Sequence, residues 1–394
     1  MGTVPEVLDS AGIRIVYSPE PTFLDGQFWT LGSRPTVRID GMDGGDSNVL
    51  LDPGTAYRAP DGRIIVADGL YAGWNEVLVF NRRGRYLESF GREGRGPCEF
   101  RQLWWAGPYR GDSIAAYDYS DHVVAILGPD GECGREVRLP VLDREHHPGT
   151  YGYSPGLDGV FDDGWFVAYS DGAVDVGQGA GEKWYRHLLL RVHPEGSVWD
   201  TLGEFGFSQV RWTGTESQEL PFGALIHPAV GPRGFFFGDG QAFEVREYDR
   251  QGSLQMIIRW SGEREPVTDD DIAEFEEWSR SRNSASPETA PAELFERYLA
   301  GLQPPETKPA YSWMLVDVEG NLWLEEYRWM GPWSRRPSQR PVHWNVFNSE
   351  GIWLGRVETP PGFLLRDVGS DYVLGLTQDE FDAKHIRMFE LIKE

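Results

Sequence analysis

The stretch that decides the architecture runs from Asp61 to Phe100. It contains Asp61-Gly62-Arg63-Ile64-Ile65-Val66-Ala67-Asp68, then Val77-Leu78-Val79-Phe80-Asn81-Arg82-Arg83-Gly84-Arg85-Tyr86-Leu87, then Phe90-Gly91-Arg92-Glu93-Gly94-Arg95-Gly96-Pro97-Cys98-Glu99-Phe100. Two apolar runs flank Arg83-Gly84, and a polar-Gly pair also precedes the first run. A polar residue plus Gly between short apolar segments is a hairpin signature, because glycine reaches the positive φ that tight antiparallel turns require.

Outside this stretch the same phrase returns at Asp130-Gly131, Asp163-Gly164, Glu195-Gly196, Arg233-Gly234, Gln251-Gly252, Glu319-Gly320 and Glu350-Gly351, with weaker versions at Gly111-Asp112 and Gly369-Ser370. The turns alternate between two contexts. One set (Gly62, Gly111, Gly164, Gly234, Gly320, Gly369) precedes runs such as Phe235-Phe236-Phe237-Gly238-Asp239, and the other (Gly84, Gly131, Gly196, Gly252, Gly351) follows runs such as Val245-Arg246-Glu247-Tyr248-Asp249. Self-similarity at this period reads as a radial repeat, here six four-stranded units in which the first set joins strands A and B and the second joins C and D. The sixth unit lacks an outer hairpin. A spare strand, Thr36-Val37-Arg38-Ile39-Asp40, stands ahead of the first A strand, and pairing it with Ile386-Arg387-Met388-Phe389-Glu390 would close the ring and cover its edges.

The predicted fold is therefore all-β, a six-bladed β-propeller over residues 31–394 with an N-terminal extension over 1–30. The first blade resembles an NHL repeat, and is similar in particular to uncharacterised bacterial six-bladed propellers that carry a Gly-Pro-Gly-Glu-Phe phrase; here Cys98 stands where that phrase has Gly. The resemblance implies a fold and no particular chemistry, since propellers host enzymes and binding modules alike. One segment departs from the repeat: Thr268-Asp269-Asp270-Asp271, then Ile272, Phe275, Trp278, Leu294, Tyr298 and Leu302, reads as a capped helical hairpin over about 268–303, between blades four and five. Its place in the loop class over the upper face suggests either a lid or a peripheral decoration.

Composition agrees. With 48 Gly, 27 Pro, 20 Phe, 16 Trp and 16 Tyr, the chain has the vocabulary of short aromatic strands and tight turns. A net charge of -25 repels phosphate backbones and anionic membranes, which excludes a nucleic-acid partner. No apolar run is long enough for a transmembrane segment, and Met1 to Ser10 lacks the pattern of a signal peptide. Read literally the chain is cytoplasmic; with an export signal removed it would be extracytoplasmic. A monomer is expected. Cys98 falls in an inter-blade loop and Cys133 in a hairpin on the opposite rim, so both thiols are expected to be free.

In a propeller the A strands line a central channel, and the loops leading into them form its mouth, the deep concavity where ligands sit. That position selects Tyr57, Arg58, Arg101, Trp104, Trp105, His147, Trp313 and Arg366 as ligand-binding candidates, an aromatic and basic set suited to a small anionic or sugar-like ligand. The reading favoured by the general frequency of buried aromatics is that these rings simply plug the channel, with a ligand platform as the alternative. No catalytic residue is assigned from the sequence; the candidates offered are His227, the A-strand histidine, and Glu99. Asp158, Asp317 and Asp367 also lie on A strands, but without an accompanying Asn they do not make the carboxylate set of a propeller lactonase. His146 and His147 alternate in direction and need a third ligand to hold a metal. No cofactor is expected, a divalent cation in the channel being the one candidate. The reading is a non-catalytic binding or interaction scaffold with a protein or small-molecule ligand at the mouth; the alternative is a channel-based metal-dependent hydrolase or lyase.

Overall fold

The computed structural model describes residues 4–23, 29–40, 50–69, 74–142, 155–174, 179–196, 198–215, 217–285, 292–329 and 340–393. The chain starts with a hairpin, β1 (Glu6–Ser10) and β2 (Ile13–Ser18), followed by β3 (Trp29–Leu31) and β4 (Val37–Asp40). Blade one comprises β5 (Pro53–Arg58), β6 (Ile64–Asp68), β7 (Glu76–Phe80) and β8 (Tyr86–Phe90), and blade two β9 (Leu103–Pro108), β10 (Ile114–Asp118), β11 (Val123–Leu127) and β12 (Cys133–Arg138). Blade three has longer strands, β13 (Gly156–Val160), β14 (Phe166–Val174), β15 (Gly181–Val192) and β16 (Trp199–Trp212), plus the short β17 (Ser217–Glu219). Blade four comprises β18 (Ala229–Gly231), β19 (Gly234–Phe237), β20 (Glu244–Asp249) and β21 (Leu254–Trp260), after which come helices α1 (Asp269–Ala285) and α2 (Ala292–Gly301). Blade five is β22 (Tyr311–Val316), β23 (Leu322–Glu326), β24 (Val342–Phe347) and β25 (Trp353–Thr359), and blade six β26 (Phe363–Val368), β27 (Tyr372–Gln378) and β28 (Lys384–Lys393). Each blade is an antiparallel meander in strand order, and the molecule is a six-bladed β-propeller.

The turns behave as the sequence repeat requires. Gly84, Gly131, Gly196, Gly252 and Gly351, in the C-to-D hairpins, all have φ between +74° and +82°. Three residues before such a glycine, a short polar side chain accepts two backbone N–H groups: Asn81 Oδ1 from Arg83 and Arg85, Asp249 Oδ1 from Gln251 and Ser253, Asn348 Oδ1 from Glu350 and Ile352. A second recurrent device ends the B strands of blades one and two. Asp68 accepts the N–H groups of Leu51 and Asp52, and Asp118 those of Arg101 and Gln102, so each pins the loop that enters its own A strand.

The core lies between blades. Tyr57, Ile65, Val79, Phe100, Leu103 and Ala116 fill the seam of blades one and two, and comparable clusters fill the others. A ring of such seams must be closed, and the spare N-terminal strand does it: β4 pairs antiparallel with β28, Val37 opposite Met388 and Ile39 opposite Ile386, all four buried. Gly84 is required beside this closure, since a Cβ there would lie 2.7 Å from the Arg38 carbonyl oxygen.

The segment before the closing strand does more than the sequence reading expects. β2 adds to the outer edge of blade four, parallel to β21, with Val16 fully buried opposite Ile258. Thr22 and Phe23 then donate their N–H groups to Trp353 O and Leu354 O of blade five at 2.9 and 2.8 Å, and β3 pairs with β28 in blade six. The N-terminal residues form a belt across three blades. No hairpin repeat marks it, because it supplies edge strands and not a blade.

The two cysteines correct the sequence reading: Cys98 and Cys133 form a disulfide, with Cα atoms 5.8 Å apart. Opposite rims are a valid description only at the inner strands. Each pair of neighbouring strands adds roughly 20–25° of twist, so the outer strand of a blade is turned by most of a right angle from the inner one. The 91–100 loop folds back on itself and brings Cys98, with φ +55°, against β12, where its N–H donates to Glu136 Oε1 at 2.8 Å. The left-handed backbone at Cys98 is one that glycine adopts more readily than any other residue.

The helical insertion forms where the sequence places it. Thr268 and Asp271 cap α1 reciprocally, Thr268 N–H to Asp271 Oδ2 and Asp271 N–H to Thr268 Oγ1. Arg280 bridges Glu276 of α1 and Glu296 of α2. Phe275 and Leu299 pack with Phe222, from the connection between blades three and four, and with Trp329 of blade five.

Candidate functional site

The site begins with a defect shared by the A strands. In blades one, two, three, five and six the A-to-B pairing slips by one residue, leaving Gly54, Trp104, Asp158, Ser312 and Arg366 as the extra residues of β-bulges. A bulge re-aims its side chain out of the sheet's alternation. Four of these five residues, all but Ser312, line one cavity of about 220 Å³ in the channel. All six blades contribute to it: Gly54 and Thr55, Trp104 and Trp105, Leu157 and Asp158, Pro228 to Val230, Trp313 to Val316, Leu365 and Arg366, with Tyr169 and His227 alongside.

Asp158 and His227 are its chemical centre. His227 Nδ1 lies 3.2 Å from Asp158 Oδ1. The Asp158 side chain is 6% exposed and its Oδ2 is buried without a hydrogen-bond partner. Burial pushes this carboxyl above the usual range, opposed by its bond to His227. Because Nδ1 is engaged, Nε2 is the nitrogen left for exchange with a ligand.

Blade three builds the surroundings. Its long strands carry Tyr169, His187 and Phe207, and the following connection pairs back on β16, Gln209 N–H donating to Ala224 O and Ile226 N–H to Phe207 O, both at 2.8 Å. This back-pairing delivers His227 beneath the aromatic group. Its ring lies 5.6 Å from Tyr169, 5.3 Å from Phe207 and 5.9 Å from Trp313. His187 stacks on Phe207 at 4.2 Å and on Tyr169 at 5.1 Å, and burial pushes its pKa down to about 3, so it is neutral. The same connection includes Phe222 at φ +60°, an unusual conformation for a bulky residue, held in the helical insertion's core.

Of the candidates read from sequence, Trp104, Trp105, Trp313, Arg366 and His227 meet at the cavity. Tyr57 is instead packed in the seam of blades one and two. Arg58 ties blade one to blade six: its N–H donates to Asp367 Oδ2, its guanidinium pairs with Asp371 at 3.4 Å and lies over Tyr372. Arg101 pairs with Asp121 at 3.0 Å. Glu99 is occupied in its own loop, where it accepts from Arg92 and from the N–H groups of Arg95 and Gly96, so it does not reach the channel. His147, with His146, lies outside the described residues. Asp317 and Asp367 serve hairpins and a blade junction; Asp317 accepts from Asn321 and from Trp323 Nε1. Among the described residues no three His, Cys, Asp or Glu side chains are grouped to hold a metal ion. Tyr169, His187 and Phe207 escape the sequence reading because they lie on the second, third and fourth strands of blade three, whereas the candidates come from A strands and the loops entering them. The available signal was the aromatic density of Trp184-Tyr185-Arg186-His187 and Phe205-Gly206-Phe207.

Among the described residues the helical insertion contributes none to the cavity lining. It is a buttress for the connection that presents His227, and no helix among the described residues is long and apolar enough to cross a membrane.

Neither known protein families nor curated proteins give a match to the sequence. Solved structures do. A candidate exported protein from Bacteroides fragilis is 13% identical, with a TM-score of 0.50 over 96% of this chain and 100% of its own. A DUF4221-family member from Bacteroides vulgatus is 9% identical, with a TM-score of 0.53 over 92% and 98%. A gluconolactonase from Xanthomonas campestris, 12% identical over 87% and 88% of the two chains, gives a TM-score of 0.40. At these identities the likeness is one of fold.

Proposed function

We propose that this chain is a ligand-binding propeller that takes a small polar molecule into the channel between Trp105 and Trp313, with Asp158, His227 and Arg366 as its polar contacts. The observation that carries this reading is that Asp158, a residue of the cavity lining, has a buried Oδ2 without a hydrogen-bond partner. A sealed acceptor without a partner costs about 1–3 kcal/mol, a cost that a bound donor would offset. The aromatic walls suit a ring or an aliphatic stem, and the volume suits a metabolite smaller than the occupants of most drug-sized pockets.

The test is a thermal-shift screen of small sugars, organic acids and amino acids against wild type and the Trp105→Ala/Arg366→Ala double variant. A ligand that raises the wild-type Tm and leaves the variant unmoved supports the channel as the site. Equal shifts in both would place binding elsewhere.

A second reading, a channel enzyme, is favoured by the dyad itself. An imidazole held at Nδ1 by a buried carboxylate has its tautomer set for general-base work at Nε2. Asp158 and His227 alone do not complete the ligand set of a divalent-cation centre, so this reading routes no step through a metal. Turnover of a bound ligand that disappears in His227→Gln while binding persists would select it.

The blade grammar supports placing the chain near NHL-type propellers, and the Cys98–Cys133 disulfide supports an extracytoplasmic site of action, since such bonds persist in oxidising compartments. Thiol trapping in intact cells followed by non-reducing electrophoresis tests the second point.

A further inference from the structure

In a six-membered ring, blades three apart face each other. Asp158 on blade three and Arg366 on blade six are therefore opposed, both as bulge residues and both on the wall of the same cavity. Trp105 on blade two and Trp313 on blade five are opposed in the same way. One diameter of the cavity has a carboxyl group at one end and a guanidinium at the other, and another has an indole at each end.

We infer that the ligand is a compact zwitterion, an amino acid whose ammonium sits on Asp158 and whose carboxylate sits on Arg366, with its stem between the two indoles. This rests on the channel reading above and narrows it. A buried carboxylate with one oxygen bonded to His227 and the other without a donor is best compensated by a cation bearing several N–H groups. Guanidinium geometry matches a carboxylate in two parallel hydrogen bonds. The indole faces would add cation–π attraction on the ammonium side. A cavity of about 220 Å³ has room for a molecule of this size.

Calorimetric titration of the full chain with L-alanine, L-serine, propionate, alaninamide and D-glucose tests the inference. Alanine or serine should bind, with propionate (no ammonium) and alaninamide (no carboxylate) each at least about tenfold weaker. Asp158→Asn should abolish the preference of alanine over propionate, and Arg366→Gln the preference of alanine over alaninamide. Propionate or alaninamide binding as tightly as alanine would overturn the zwitterion. Glucose binding that Trp313→Ala removes, with no amino acid bound, would overturn the zwitterion and keep the channel site. Silence from all five compounds would overturn both. The comparison among ligands on wild type stands even if a variant misfolds.

Discussion

Asp158 and His227 meet across the seam between blades three and four, Oδ1 to Nδ1 at 3.2 Å, while the second carboxylate oxygen of Asp158 has no hydrogen-bond partner. An ionised Asp158 requires the proton of a neutral His227 to be on Nδ1, where it donates to Oδ1. Nitrogen-detected NMR of the imidazole should find that tautomer in wild type, and Asp158→Ala should lose it. An Nε2-protonated ring in wild type would contradict the assigned roles.

His187 predicts a pH dependence. Its folded pKa, pushed down to about 3, lies below the unfolded value near 6.5, so the unfolded state takes up a proton first as pH falls. The stability this residue contributes is fully present above about 6.5 and declines below it, by about 2 kcal/mol at pH 5. His187→Phe keeps an aromatic stack and removes the titration. Urea unfolding at pH 7 and pH 5 should show a loss in wild type that is smaller by that amount in the variant.

Phe275 holds Phe222, and so buttresses the connection carrying His227, without touching the cavity. Phe275→Ala removes a buried ring from a small cluster, at a cost of about 3 kcal/mol. Hydrogen exchange should quicken in α1, α2 and at the amides of Gln209 and Ile226, with the strands of blades one and six unchanged. Unchanged exchange at those two amides would show the insertion to be peripheral.

Closure depends on Ile39, buried opposite Ile386. Ile39→Ala should lower stability by about 2–5 kcal/mol through cavity formation. Gly84→Ala should also destabilise, because the added methyl meets the Arg38 carbonyl at positive φ. Chemical denaturation of both variants checks this; wild-type midpoints would mean that the ring does not rely on β4.

The disulfide spans 35 residues, and loop-closure entropy gives it a contribution of about 3–4 kcal/mol. Cys98→Ser should lower the Tm under non-reducing conditions, and thiol titration of denatured, unreduced wild type should find no free thiol from this pair. Two titratable thiols would restore the reading made from sequence.

Blade number, hairpin placement, ring closure and the helical insertion were all legible in the sequence. Each rests on local chemistry: the positive φ that Gly84 or Gly252 supplies, the N–H groups that Asn81 or Asp249 accepts, the capping pair Thr268 and Asp271, and a strand count that left Val37–Asp40 to fill an edge. These effects act within a few residues, so the residue string carries them. The site depended on tertiary structure. Trp104, Trp105, Trp313, Arg366 and His227 could be listed from strand position, but the bulge that turns Asp158 into the channel is a slip between two strands, visible only once they pair. The meeting of Asp158 with His227 needs the back-pairing of the Leu220 to Ile226 connection on blade three. Cys98 and Cys133 were misplaced because blade twist accumulates across four strands, and the belt formed by β1 to β3 was missed because edge strands take their register from the sheets they join. Such relationships are set by the packing of segments far apart in the chain, which turn chemistry and strand alternation do not encode.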